Sequence, residues 1–180
     1  MQSDGCGKDM NQDVDAEAEV HVYSIGHSDH AIEAFLTRLR QHEIALVVDV
    51  RSQPYSQWVP QFNRESLMRD LEAAGIHYMF IGDSLGGRPS DRSMYDPGQE
   101  LPNYGRVADD PGFQAGILQL MTMAATERTV VMCAEGDHRT CHRSKLITPA
   151  LLKRHVRVFH IQSDGQVVRA EPEPEQLSFF

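Results

Sequence analysis

The feature that most narrows the folds open to this chain is IALVVDV (44–50), a near-continuous apolar run of strand length. A strand with one wet face alternates apolar and polar residues, whereas one covered by helices on both faces does not. Apolar or alternating runs recur as VHVYSI (20–25), IHYMFI (76–81), TVVMC (129–133) and VRVFHI (156–161). Between the first two, SDHAIEAFLTRLRQH repeats Ile32, Phe35, Leu36 and Leu39 at helical spacing, with Ser28 or Asp29 as its cap. Asn63 is placed to cap RESLMRDLEAA, and Gly75 to end it. Helices are also expected over 112–125 and about 141–155. Such alternation specifies an α/β fold: a single three-layer domain with a mainly parallel sheet flanked by helices.

In sheets of this kind ligands bind beyond the carboxyl ends of the strands. That rule gathers Gly26, His27 and Ser28, then Asp49 and Arg51, then Gly82, then Cys133 and Glu135 on one rim. Residues 82–110, rich in Gly, Pro, Asp, Ser and Tyr, are long for a connector and read as a substrate-side loop.

The chain has 180 residues, enough for one well-buried core. Residues 20–170 are expected to form it, between a disordered acidic tail (1–19) and a flexible tail (171–180). With 41% hydrophobic residues, no membrane-length apolar run and no signal-like start, the expectation is a cytoplasmic protein without a membrane partner. The net charge of −9 argues against general nucleic-acid affinity. Much of it sits in the tails, at residues such as Asp4, Asp9, Glu17, Glu173 and Glu175, so a local basic groove stays open. Three cysteines, an odd number at unequal spacing, do not form a disulfide framework. Cys6, in the acidic tail, is given no role.

The chemistry concentrates in VVMCAEGDHRTCHRSK (130–145), which carries two cysteines, two histidines and two arginines after a strand. Three readings are open. Cys133, followed by five residues and then Arg139, has the spacing of an anion cradle, in which backbone N–H groups and an arginine hold an oxyanion beside an activated thiol. The loop loosely resembles those of rhodanese-like sulfurtransferases and cysteine phosphatases, although Glu135 and Asp137 would repel phosphate there. Alternatively Cys133, Cys141 and His142 hold zinc or iron, with His138, His27 or Glu135 adding a ligand, against a base expectation of no cofactor. Adjacent Cys141 and His142 do not easily both point inward from a helix. In the third reading both thiols are small buried hydrophobes.

Taken together, YSIGHS (23–28), VVDVRSQPYS (47–56), GIHYMFIGDSLGGRP (75–89) and MCAEGDHRTCHRS (132–144) resemble the domain-of-unknown-function 488 family of bacterial and archaeal proteins. The resemblance spans residues 20–161. It implies an α/β fold and a site at Cys133-Ala134-Glu135 and Cys141-His142-Arg143, without a reaction. Arg139 is not part of the family pattern.

Around that site, His27 is a candidate acid or base. Asp49 and Glu135 are candidate paired carboxylates, unless Asp49 serves only as the ion-pair partner of Arg51 or Arg143. Arg51, Arg88, Arg139 and Arg143 could line an anion pocket, with Ser28 and Tyr55 as further substrate contacts. Tyr55, Trp58, Phe62, Tyr95 and Tyr104 could stack a nucleobase or simply pack.

The chain ends in EPEPEQLSFF, whose Gln176, Leu177, Phe179 and Phe180 resemble the pentapeptide by which bacterial replication and repair proteins bind the sliding clamp. The same residues could fold back on the core. The leading expectation is a cysteine-dependent enzyme using Cys133, His27, Glu135 and Asp49 on an anionic, nucleotide or DNA-derived substrate, recruited by the clamp. The alternatives are a non-catalytic nucleotide or DNA-end binding module, and a sulfurtransferase or phosphatase.

Overall fold

A computed structural model describes residues 20–172. The expected acidic tail and the residues Gln176, Leu177, Phe179 and Phe180 lie outside them. Six strands form one sheet: β1 (His21–Gly26), β2 (Leu46–Asp49), β3 (His77–Phe80), β4 (Thr129–Cys133), β5 (Arg157–Ile161) and β6 (Val167–Arg169), in the order β3-β2-β4-β1-β5-β6. All neighbours run parallel except β5 and β6. The fold is therefore α/β with a mainly parallel sheet, as the alternation requires.

Alternate residues along the central strands feed two cores. Val22, Val48, Val131 and Val158 pack with Phe113, Ile117 and Leu120 of α5 (Pro111–Thr126) and with Ala150 and Leu151 of α6 (Thr148–Leu152). On the other face Ile25, Val47, Val130 and Met132 meet Phe35 and Leu39 of α1 (Ile32–Gln41) and Leu67 and Leu71 of α2 (Arg64–Ala73). Each fully buried side chain of this size stabilises the fold by roughly 1.5–3 kcal/mol, which explains why IALVVDV has no polar face to show.

The cap assignments need correction. α1 starts after Ala31, three residues beyond Ser28, with no side-chain cap. Asn63 does precede α2, but its side-chain Oδ1 accepts from the Ser56 backbone N–H at 2.7 Å instead of capping the helix. Gly75, at φ 73°, closes α2 as expected.

Residues 82–110 are more ordered than a loop. They hold α3 (Gly82–Leu85), a 3₁₀ turn at Arg92–Met94 and α4 (Tyr104–Asp109). Nor is 141–155 one helix. A 3₁₀ turn (His138–Thr140) leads through Cys141, in extended conformation at φ −96° and ψ 151°, to a π-helical turn (Arg143–Ile147) and then α6.

Candidate functional site

The extended backbone at Cys141 decides the site. A helical residue there would turn its side chain away from that of His142, whereas the break aims both at the end of β4. The metal-ligating atoms of Cys133, Glu135, Cys141 and His142 all lie within 4.8 Å of one another. His142 Nδ1 is 3.6 Å from each sulfur, and Glu135 Oε2 is 2.8 Å from Cys133 Sγ and 3.3 Å from Cys141 Sγ. Donors around a tetrahedral ion stand about 3.3–3.8 Å apart, so the cluster has the dimensions to hold a metal. The objection that Cys141 and His142 cannot both point inward falls with the helix it assumed.

His142 is oriented for that role. Its Nε2 lies 3.2 Å from the Val50 carbonyl, which can only accept, so Nε2 carries the hydrogen and Nδ1 turns its lone pair to the sulfurs. Gly87 packs on the ring: a Cβ there would come within 2.6 Å of His142 Cγ.

Arg143 lies directly beneath the cluster, with 1% of its surface exposed. Its Nε donates to Cys141 Sγ at 3.3 Å, Nη2 to the Glu135 carbonyl at 2.6 Å and Nη1 to Ser24 Oγ at 3.4 Å. Gly26 makes room, since a Cβ there would stand 1.9 Å from the Glu135 carbonyl oxygen and 2.9 Å from Arg143 Nη2. No carboxylate pairs with Arg143 among the described residues, so Cys141 is its nearest source of counter-charge. The hydrogen bond from Cys133 and the Arg143 guanidinium charge hold the Cys141 thiol well below its ordinary range. The same bond, burial and the negative charges of Cys141 and Glu135 push Cys133 up. These causes favour the protonated form of Cys133, whose sulfur stands 2.8 Å from Glu135 Oε2.

Asp49 and His27 form a second network. Arg51 grips Asp49 through Nε at 2.9 Å and Nη2 at 2.6 Å, and Tyr78 Oη donates to Asp49 Oδ2 at 2.8 Å. Arg51 Nη1 donates to His27 Nε2 at 3.2 Å, while His27 Nδ1 donates to the Ser28 carbonyl at 2.7 Å. Both ring nitrogens are thus engaged. Burial is the main cause that lowers the His27 pKa to about 4, with the ring stacked on Phe62 at 4.2 Å. The neutral His27 ring joins Arg51 to the Ser28 carbonyl.

The cavity at the carboxyl ends of the strands has a volume of about 620 Å³. Cys133, Glu135 and His142 line it together with Arg51, Arg88, Tyr104 and Lys145. Ser28, Tyr55 and Arg139 do not. Arg139, exposed over 79% of its side chain, forks onto Asp137 at 2.9 and 3.0 Å instead of closing a cradle. Tyr55 is exposed and donates to Glu65 at 2.6 Å, and Ser28 donates to Asp29 at 3.2 Å. Trp58 stands 84% exposed, while Phe62 is core. Sequence reasoning passed over Lys145 and Tyr78. Lys145 had a signal in lying four residues beyond Cys141; Tyr78 becomes visible only once β3 is known to pair beside Asp49.

Comparisons with curated proteins and with solved structures each return no match, so the loose rhodanese or phosphatase likeness gains no support from them. A family model does match, over residues 31–148, which is more than half of the chain and leaves YSIGHS in β1 outside. Because that span runs from before α1 through the cysteine cluster to the start of α6, the chain belongs to the family described as Domain of unknown function DUF488.

Proposed function

We propose that this protein is a metal-dependent enzyme acting on an anionic substrate, with Cys133, Cys141 and His142 as ligands of zinc, or of iron as the alternative, and Glu135 as a base or displaceable fourth ligand. The observation that carries the reading is the convergence of those four donors on one point at the edge of an open cavity. The charges match. Two thiolates neutralise a divalent ion, and one of them, Cys141, also faces the buried Arg143 guanidinium.

When bound, the ion would supply Lewis acidity and an acidified water. The chain supplies the rest. Val50 fixes the His142 tautomer, Arg143 stabilises the Cys141 thiolate and positions the Glu135 backbone, and the Glu135 carboxylate can take a proton from a water or substrate in the cavity. Hydrolysis is the reaction class that this set serves most directly.

Cobalt substitution tests the reading. Two thiolates and an imidazole should give sulfur-to-cobalt charge-transfer bands and intense tetrahedral ligand-field bands, lost in Cys133→Ser and Cys141→Ser. Spectra of the hexaaqua ion in the presence of folded wild-type protein would sink it. Glu135→Gln should keep most of the metal and lose turnover on any substrate found. Recruitment through Gln176, Leu177, Phe179 and Phe180 to a sliding clamp is a separate proposal supported by the sequence alone.

A further inference from the structure

The 82–110 segment poses a question that the metal cluster does not answer: why so much folded structure is laid against the cavity. Its parts are tied down. The Arg88 backbone N–H donates to Ser52 Oγ at 2.9 Å, and Gly87, lacking a side chain, lets the segment rest on the His142 ring. Further on, Asn103 caps α4 by accepting from the Gly105 and Arg106 N–H groups. Its amide also donates to Asp96 Oδ2 at 3.1 Å, and Arg106 pairs with Asp96 at 2.6 Å. The first residue of the helix so fixed is Tyr104.

These ties deliver two side chains to the cavity, Arg88 and Tyr104, opposite the cysteine loop that delivers Lys145. Arg88 and Lys145 are exposed, and neither has an ion-pair partner among the described residues. Arg51, by contrast, is already satisfied by Asp49. Tyr104 is half-buried, and its hydroxyl makes no hydrogen bond among the described residues. Burial and the negative groups Cys141 and Glu135 raise its pKa, with Arg88 acting the other way, so the phenol keeps its hydrogen and lies within electrostatic reach of both cluster and cation.

We infer that Arg88, Lys145 and Tyr104 form the substrate-binding wall of this cavity, and that its ligand is a phosphate monoester of about nucleotide size. The inference rests on the proposed function for the reacting centre but not for the binding wall. A phosphate monoester carries about −1.5 to −2 charges near neutral pH, which matches two unpaired cations once the Glu135 carboxylate is taken up by the metal cluster, whereas a carboxylate would leave one unmatched. Arginine supplies two-pronged contacts to such a group, and lysine a point charge. The cavity volume falls within the range of small-molecule sites, and Leu101 and the Tyr104 ring give the rest of the ligand an apolar surface.

Calorimetric titration with inorganic phosphate and with adenosine monophosphate, alongside zinc quantification on the same samples, tests this. Wild-type protein should bind both, the nucleotide more tightly. Arg88→Ala and Lys145→Ala should each weaken binding about tenfold or more, and Tyr104→Phe about threefold or more, with zinc content unchanged. Wild-type protein that binds neither probe, or variants that bind as well as wild type, would overturn the inference. Phosphate binding by protein that holds no zinc would overturn the metal reading and leave this one standing.

Discussion

Arg143 Nε donates to Cys141 Sγ across 3.3 Å, so a guanidinium sealed inside the protein takes its counter-charge from a sulfur two residues before it. Removing one member of a buried charged pair leaves the other unmatched, at a cost of about 3–5 kcal/mol. Cys141→Ala in metal-free protein should therefore destabilise by about 3 kcal/mol, far more than the loss of one small buried side chain. Urea unfolding measures it. A loss under about 1 kcal/mol would mean that the pair carries little charge.

The Asp49–Arg51 pair makes a parallel expectation. Asp49→Ala strips a buried cation of both its carboxylate contacts and should cost about 3–5 kcal/mol. Tyr78→Phe removes one hydrogen bond to the same carboxylate and should cost about 1 kcal/mol. The ratio between the two, read from denaturant midpoints, separates a structural ion pair from a catalytic carboxylate.

Gly87→Ala drives a methyl group into the His142 ring. Displacing a ligand held by its outer hydrogen bond typically weakens metal affinity about 10–100-fold. Competition with a chromogenic chelator should show that loss in a protein whose circular dichroism is unchanged. Unaltered affinity would mean that His142 is not a ligand.

Acidification should destabilise the protein through His27. Its folded pKa of about 4 lies below the ordinary histidine value of 6.5, so the unfolded chain binds the proton first. The stability that depends on the neutral ring is fully present above pH 6.5 and is lost progressively as pH falls toward 4, to a limit of about 3 kcal/mol. His160, also lowered to about 4, mainly by burial, titrates alongside it. Between pH 6.5 and 5, His27→Gln should show a clearly smaller slope than wild type, His138 and His160 supplying the rest; an equal slope would acquit His27.

Five apolar or alternating runs became β1 to β5, plainest in β2 and β4, whose residues are all buried, while edge strand β3 kept only alternation. β6 left none: Val167, Val168 and Arg169 are all exposed at the sheet edge. α3 and α4, four and six residues long, are too short to announce themselves by periodicity and are held by contacts such as Asn103 to Asp96. In the site, Cys133, Glu135 and the Cys141-His142-Arg143 group were all visible as chemistry-bearing residues. Their arrangement was not, because it depends on the backbone break at Cys141. Arg139 misled because spacing matches an anion loop while Asp137, two residues away, captures the guanidinium. The partners of His27, Arg51 and the Ser28 carbonyl on its two nitrogens, were not legible because they depend on how the strand ends meet.

The most direct measurement is elemental analysis of protein purified without chelator from zinc- and iron-replete medium, for the wild type and for Cys133→Ser with Cys141→Ser. The proposed metal centre of Cys133, Glu135, Cys141 and His142 requires about one ion per chain in the wild type and almost none in the double variant. Substoichiometric metal in folded wild-type protein, or equal metal in both, would contradict it.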